Sequence, residues 1–242
     1  MSFIITLYVR EGIVMASDSR LTLNQTLPPT IPGGNQIVNL AVTESDNNYK
    51  TFLAPNNIGI STCGAADING VPIAGYIESF IRENLNDDAV CIDSVPQLLS
   101  NYFQTFQPIP DVQFHVGGYK VDNGQYEQHV WRVFVATNSI EKANPINVQG
   151  AVWNGETDIL IRLINPVGTF EHSTFSPLSF YQIPFQYFTL QDAIDFAIFA
   201  IRSTIDAIRF QPRPKTVGGP IDVLVLKPNE AFWIQRKELH GE

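Results

Sequence analysis

The chain contains little cysteine and no pattern of metal-binding residues. Its 242 residues include two cysteines, Cys63 and Cys91, which stand far apart and form no Cys-x-x-Cys motif. This scarcity argues against a disulfide framework or a zinc ribbon, and we expect both thiols to be reduced and mostly buried. The four histidines, at positions 115, 129, 172 and 240, lack the spacing of a metal-binding helix, which favours surface or loop roles. The sequence therefore predicts no metal site.

Positive charge and long apolar runs are scarce as well. Lysine and arginine total 15 against 24 aspartate and glutamate residues, which gives a net charge of -9 and disfavours binding to nucleic acid or to an anionic membrane surface. No segment approaches the roughly 18 consecutive apolar residues of a membrane span. The apolar N-terminal run lacks the basic flank and the cleavage site of a secretory signal. We therefore expect a cytoplasmic protein.

Size and composition are typical of a single globular domain. With 242 residues, 44% of them hydrophobic, the chain is long enough to cover two layers of sheet with helices. It contains no internal repeat and no low-complexity tract. We expect one domain, residues 1–242.

The clearest local pattern is a hairpin at the start of the chain. Residues 3–9 and 12–18 are apolar runs rich in β-branched and aromatic residues, separated by Glu11-Gly12. Antiparallel neighbours reverse direction, so the hairpin places the start of its first strand beside the end of its second. Ser2 and Asp18 should therefore lie close together.

Periodicity predicts further elements along the chain. A loop near Ser2 and Asp18 is predicted for residues 23–36. This segment contains Pro28, Pro29, Pro32 and the Gly33-Gly34 pair. The predicted strands are 49–53, 58–62, 112–119, 130–136, 147–153, 221–226 and 232–235. The predicted helices are one with Ile73, Ile77, Phe80 and Ile81 on its buried face, one capped at Asp93-Ser94-Val95-Pro96, a short one at 156–164, and one starting at Thr189-Leu190-Gln191-Asp192. The aromatic and proline-rich residues 165–188 give no assignment.

Ser2 would carry both a hydroxyl and an α-amine if the initiator methionine were removed, as is usual before a small residue. An α-amine titrates near pH 7.7 to 8.0, so it can accept the proton of the hydroxyl at working pH. A neighbouring cation would favour the neutral amine, and a carboxylate would hold that cation. Lys50 and Asp18 are the candidates, although Lys50 alone also fits an exposed lysine and Asp18 a strand-end acid paired with Arg20.

Three segments resemble the proteasome-type N-terminal nucleophile hydrolases. They are GIVMASDSRLT at 12–22, Lys50 followed by NNIGISTCGAAD at 56–67, and GGPIDVLVL at 218–226. The resemblance covers residues 2 to 67 and returns from about 146 to 236. It implies an α+β fold, a four-layer αββα sandwich with two antiparallel sheets between helix layers.

The resemblance also implies the roles of individual residues. Ser2 falls on the nucleophile, Asp18 on a buried aspartate and Lys50 on the active-site lysine, while the main-chain N–H of Cys63 falls on the oxyanion donor. A reactive thiol is the alternative for Cys63. The implied substrate-binding residues are Thr22, Ser61, Gly64 and Ala65, with Ser61 at the floor of a pocket that leaves room for a large side chain. No cofactor is implied.

Three positions depart from the family pattern. Asn154 stands where the family has a serine, and it can still hydrogen-bond a terminal amine. Pro214 stands where the family has an acid, and it cannot replace a carboxylate. Ser2 itself replaces a threonine, which removes the methyl that restricts the rotamer. We expect slower turnover for this reason.

Three functional hypotheses follow. The first is a cytoplasmic, self-assembling amide hydrolase, most simply a peptidase, that acts on a peptide or amide without a cofactor. The second is a noncatalytic scaffold subunit of the same fold, which Pro214 favours. The third is a small-amide acylase. The resemblance implies a homo-oligomer, as a ring or a stacked assembly, and the sequence identifies neither its size nor an unfoldase partner.

Overall fold

A computed structural model describes residues 2–27, 37–86, 90–144, 148–171 and 174–238, with side chains described for all of these except 24–27 and 37–44. Within these ranges the chain forms sixteen β-strands and four α-helices. The strands are β1 Phe3–Val9, β2 Gly12–Ser17, β3 Leu21–Leu27, β4 Ile37–Ser45, β5 Thr51–Ala54, β6 Ile58–Gly64, β7 Asp67–Ile68, β8 Val71–Pro72, β9 Val112–Asp122, β10 Gln125–Phe134, β11 Ser139–Lys142, β12 Gly150–Gly155, β13 Gly168–Glu171, β14 Thr174–Pro177, β15 Asp222–Lys227 and β16 Glu230–Gln235. The helices are α1 Ile73–Asn84, α2 Val95–Gln104, α3 Asp158–Ile164 and α4 Leu190–Arg209.

Two five-stranded antiparallel sheets form the centre of the molecule. The first has the strand order β12-β1-β2-β15-β16, and the second has the order β11-β10-β9-β6-β5. The chain is therefore a mixed α+β protein, as the sequence predicts. Every residue of β1 and β2 is buried, because these two strands are central in their sheet and covered on both faces.

Apolar side chains gather in three clusters. The first joins alternate residues of β1, β2 and β15 to α3 and α4. The second joins β5, β6, β9 and β10 to α1 and α2. The third contains residues of both main sheets, among them Met15 and Leu224 of the first sheet and Val130 of the second. The period of two along each strand separates the residues of the first cluster from those of the third.

The longest helix begins where the sequence predicts. The Thr189 hydroxyl accepts the main-chain N–H of Asp192 at 3.2 Å, and the Asp192 carboxylate accepts the Thr189 N–H at 2.8 Å, which completes a capping box for α4. Helix α2 also starts at the predicted position. However, the hydroxyl of Ser94 donates to the carbonyl of Cys91 and does not cap the helix. None of the helices in the described ranges is long and apolar enough to cross a bilayer.

Several local predictions are wrong. The loop prediction at 23–36 fails at its first residues, since 23–27 belong to β3, which pairs with β4; the prolines of that prediction lie outside the described residues. Two histidines are buried in strands, His115 in β9 and His129 in β10, and His172 and His240 lie outside the described residues. Cys91 is exposed, although Cys63 is buried as expected.

Other segments differ in extent. The unassigned residues 165–188 contain the short hairpin β13–β14 and a 3₁₀ turn at Phe185–Tyr187. The predicted strands 112–119 and 130–136 are real, but their hairpin continues further toward its Asp122-Asn123-Gly124 turn. Strand β11 has no counterpart among the predictions.

Candidate active site

Asp18 is a fully buried carboxylate at the end of β2, and it accepts four hydrogen bonds. Its Oδ1 accepts the main-chain N–H of Phe3 at 3.0 Å and the Nζ of Lys50 at 2.7 Å. Its Oδ2 accepts the main-chain N–H groups of Arg20 at 3.1 Å and of Gly218 at 3.0 Å. The carboxylate thus holds Phe3, the residue after Ser2, against the end of β2. This agrees with the predicted proximity of Ser2 and Asp18.

Lys50 is buried next to this carboxylate, with 2% of its surface exposed. Burial lowers the pKa of its ammonium group, and the charge of Asp18 opposes that shift. The guanidinium of Arg20 binds Asp46 instead, with N–O distances of 2.7 and 2.8 Å. Lys50 is therefore not the ordinary exposed lysine of the alternative interpretation, and it is Lys50 whose side chain forms an ion pair with Asp18.

Ser2 is buried and held through its main chain. Its carbonyl accepts the N–H of Glu156 at 2.8 Å, while the next amide, that of Phe3, donates to Asp18. Gly155 makes this approach possible, because it has φ +94° and a Cβ there would stand 1.8 Å from the Ser2 oxygen. The main chain of the first strand is thus fixed on both sides of the Ser2–Phe3 peptide.

Ser2 and Lys50 line one small pocket, whose volume is about 10 Å³. It lies among the starts of β3 and α1 and the end of β6. The other lining residues are Arg20, Leu21, Thr22, Asn48, Thr62, Cys63, Ala65, Ala66 and Ile73. Thr22 and Ala65, which the resemblance assigns to substrate binding, are thus brought beside Ser2.

The remaining predicted substrate residues lie around this pocket in different ways. Ser61 is fully buried and its hydroxyl lies 3.0 Å from that of Thr51; among the described residues, Thr62 lines the pocket and Ser61 does not. Gly64 has φ +106°, and a Cβ there would stand 2.4 Å from the carbonyl oxygen of Asp111. Ala65 donates its N–H to that same oxygen at 2.8 Å. The turn that ends β6 is therefore fixed by Asp111.

Cys63 lines the pocket with a buried thiol. Burial raises the pKa of this thiol to about 12, and the charge of Lys50 opposes the rise. A thiol with this pKa stays protonated at neutral pH, which argues against the reactive-thiol alternative. Its backbone faces Gln113 in the β6–β9 ladder, and its role as an oxyanion donor stays a prediction.

Asn154 is half-buried and belongs to a chain of polar side chains around the buried His115. Its Oδ1 lies 2.8 Å from the Nε2 of His115, and its Nδ2 donates to Gln113 at 2.6 Å. The Nδ1 of His115 lies 2.9 Å from the Thr6 hydroxyl, so the chain links the two main sheets. Burial lowers the pKa of His115 to about 4, which keeps its ring neutral at pH 7. The predicted contact of Asn154 with a terminal amine is not tested by these bonds.

A second buried ion pair, which sequence reasoning missed, lies behind the first. Lys237 donates to the carboxylate of Asp222 and, at 2.8 Å, to the hydroxyl of Ser19, the residue after Asp18. Its main-chain N–H also donates to Asp222 at 2.8 Å. Burial lowers the pKa of Lys237, and the hydrogen bond and charge of Asp222 oppose this. The predicted strands 221–226 and 232–235 pair as the hairpin β15–β16, whose reversal brings the start of the first strand beside the end of the second, and this is the signal that could have found the pair.

Glu156 is the other missed residue. Besides its main-chain bond to Ser2, it accepts Arg213 at 2.9 Å and Thr216 at 3.1 Å through its carboxylate. Arg213 also binds Asp158 at 3.1 Å. Its position directly after Gly155, a glycine between the predicted strand 147–153 and the predicted helix 156–164, is the signal that could have drawn attention to it.

Larger cavities exist elsewhere. One of about 350 Å³ adjoins the candidate site through Cys63, Gly64, Asn154 and Gly155. A cavity of about 650 Å³ lies at the other end of β1, next to Arg10, and does not include the candidate residues. Within the described ranges, no group of three or more histidine, cysteine or acidic side chains is arranged to hold a metal ion.

Comparison with known proteins does not assign the chain. No protein-family model matches the sequence, and no curated protein is significantly similar to it.

Proposed function

We propose that this protein is an N-terminal nucleophile amide hydrolase in which Ser2, freed by removal of Met1, attacks a peptide or amide carbonyl. The observation that carries the proposal is the buried contact of 2.7 Å between Lys50 and Asp18, whose carboxylate also holds the amide that follows Ser2. Both Ser2 and Lys50 line the same pocket. Met1 lies outside the described residues.

The proposed reaction needs only groups of this chain and water. The Ser2 hydroxyl adds to the substrate carbonyl while its own α-amine takes the hydroxyl proton. The tetrahedral intermediate then collapses, the C–N bond breaks, and the protonated amine returns its proton to the leaving nitrogen. Water, deprotonated by the same amine, hydrolyses the resulting ester, which releases the acid and restores Ser2. The charge of Lys50 favours the neutral amine and stabilises the developing oxyanion.

The proposal extends to the fold and to the assembly. We infer an order of layers in which α3 and α4 cover the first sheet, the two sheets face each other, and α1 and α2 cover the second sheet; the three apolar clusters support this αββα arrangement. A homo-oligomeric ring or stack in the cytoplasm, without a cofactor, remains part of the same proposal.

A noncatalytic scaffold is the second candidate, and Pro214 favours it because this position supplies no carboxylate. A small-amide acylase differs from a peptidase only in its substrate. Chemistry at Ser2 separates the scaffold from the two hydrolases, and cleavage of peptides or of acyl amides separates the peptidase from the acylase.

The test is an intact-mass measurement followed by labelling with a peptide epoxyketone. This probe forms a ring with a hydroxyl and an amine on the same residue, so its adduct has the summed mass of protein and probe. We expect loss of Met1 and one adduct on Ser2. Ser2→Ala should still lose Met1 but form no adduct, and Ser176→Ala, on the exposed strand β14, should label normally. A retained methionine, or a processed protein without an adduct, contradicts the proposal.

A further inference from the structure

Two threonine hydroxyls in the pocket beside Ser2 have no hydrogen-bond partner among the described residues. They are the Oγ1 atoms of Thr22 and Thr62, and both atoms are shielded from solvent. The two residues are 6% and 2% exposed, and both line the pocket. A buried hydroxyl without a partner is costly, so these groups favour a ligand that can pair with them.

The neighbouring hydroxyls behave differently. The hydroxyl of Thr51 donates to Ser17 at 2.8 Å and lies 3.0 Å from the hydroxyl of Ser61. Ser61, the residue before Thr62, is therefore satisfied within the protein. Because side chains alternate along β6, Ser61 and Thr62 face opposite sides of the strand. The hydroxyl of Thr62 therefore does not share the partners that satisfy Ser61.

The pocket is also very small. Its volume of about 10 Å³ is close to the minimum that accommodates one water-sized group. Ala65, Ala66 and Ile73 give part of its lining an apolar surface, and the polar residues Arg20, Asn48 and Lys50 also line it. A side chain entering it can place only one small polar group among the lining residues, whereas a branched or aromatic side chain cannot enter without movement of these walls.

We propose that this pocket selects a substrate whose acyl residue carries a small hydroxyl-bearing side chain, of the size of serine, next to the attacked carbonyl. Thr62 and Thr22 are the specificity-determining residues. This inference rests on the proposed function, because Ser2 must attack for the pocket to receive that side chain. It reverses the sequence-based expectation of a roomy pocket above Ser61.

The expected preference for a serine side chain over an apolar side chain of similar size follows from hydrogen bonding to the threonine hydroxyls. A hydroxymethyl side chain can form a hydrogen bond with a threonine hydroxyl of the pocket, while an ethyl side chain of nearly equal size leaves both hydroxyls unsatisfied. Hydrogen bonds of this kind discriminate by about tenfold or more. A leucine side chain should react more slowly still, because it exceeds the pocket.

The experiment compares three peptide epoxyketones that differ only in the side chain next to the ketone: serine, 2-aminobutyrate and leucine. The rate of Ser2 labelling is followed by intact mass. We expect serine to exceed 2-aminobutyrate by about tenfold or more in the wild-type protein. Thr62→Val should bring this ratio to within about twofold of one, Thr62→Ser should preserve it, and Thr174→Val, on the exposed strand β14, should leave it unchanged.

Each outcome has one meaning. The pocket assignment is overturned if the leucine probe labels Ser2 fastest, or if the serine and 2-aminobutyrate probes label it at equal rates. Equal rates are expected if water satisfies both hydroxyls. Either result leaves the proposed function standing. No labelling of Ser2 by any probe contradicts the proposed function and this inference with it. Thermal melting of each variant verifies folding. The wild-type ratio decides the question alone if Thr62→Val does not fold.

Discussion

Replacing Lys50 with methionine should destabilise the fold strongly, because Asp18 would remain buried without its cation. The two side chains are 3% and 0% exposed, and their contact is 2.7 Å. Removing one partner of a buried pair costs about 3–5 kcal/mol. Asp18 keeps three main-chain donors, those of Phe3, Arg20 and Gly218. We therefore expect the lower end of that range, about 3 kcal/mol.

Replacing Asp18 should lower the free energy of unfolding more than replacing Lys50 does. Asp18→Asn leaves a buried ammonium group on Lys50, for which the described residues supply no other side-chain acceptor. It also replaces one carboxylate oxygen by an NH₂ group, which cannot accept the hydrogen bonds that the oxygen accepted. We expect a loss of about 5 kcal/mol.

The double variant isolates the pair. Removing both charges eliminates the unpaired group that each single variant leaves, so the double variant should lose about 2–3 kcal/mol less than the sum of the single losses. Lys120→Met is the matched control, since Lys120 lies 2.7 Å from Asp93 at the surface, with the two side chains 39% and 32% exposed. Its loss should be far smaller than that of Lys50→Met.

The assay is urea unfolding at pH 7, followed by tryptophan fluorescence and by circular dichroism. Coincident transitions from the two probes justify a two-state free energy of unfolding. A Lys50→Met variant that unfolds at the wild-type urea concentration, or a coupling energy near zero, would refute the assignment of Lys50 and Asp18 as a buried ion pair.

Three further predictions concern the surroundings of the site. Gly155→Ala should lower the free energy of unfolding by at least about 2 kcal/mol and abolish Ser2 labelling, because its Cβ would stand 1.8 Å from the Ser2 oxygen at φ +94°; urea unfolding and intact mass measure this. Iodoacetamide should alkylate the exposed Cys91 in the native protein and spare Cys63, whose pKa is raised to about 12 by burial; peptide mass mapping would contradict this if Cys63 reacted first. Lowering the pH from 7 to 5 should cost about 2 kcal/mol through His115, because its pKa falls from 6.5 to about 4 on folding and the unfolded chain takes up the proton first; His115→Gln should show a shallower pH dependence of unfolding.

The sequence predicts the parts of the fold that depend on local pattern. The runs 3–9 and 12–18 form β1 and β2 because their β-branched residues are flanked by a turn. Helix α4 begins at Thr189 because its capping groups are three residues apart. The proximity of Asp18 to the first strand follows from the hairpin, and the Asp18 Oδ1–Phe3 N distance of 3.0 Å agrees with it.

What the sequence fails to predict depends on partners distant in the chain. Histidine is a polar residue, yet His115 is buried. Its two ring nitrogens form hydrogen bonds with Thr6 and Asn154, which belong to the other main sheet. Lys237 lies beside Asp222 because of the hairpin β15–β16, yet its sequence context gives no sign that the lysine is buried there. Composition assigns such residues to the surface, because no local signal reveals a partner that would satisfy them in the interior.

The proline at position 214 bears directly on whether the protein is an enzyme or a scaffold. Pro214 brings no carboxylate to the site, but the residue before it, Arg213, binds the carboxylate of Glu156. Glu156 in turn holds the Ser2 carbonyl through its main chain. An acidic side chain therefore belongs to the segment that fixes Ser2, supplied by a different strand end. The absence of an acid at position 214 therefore supports the scaffold alternative less strongly than the sequence alone suggests, and adduct formation on Ser2 decides between the two.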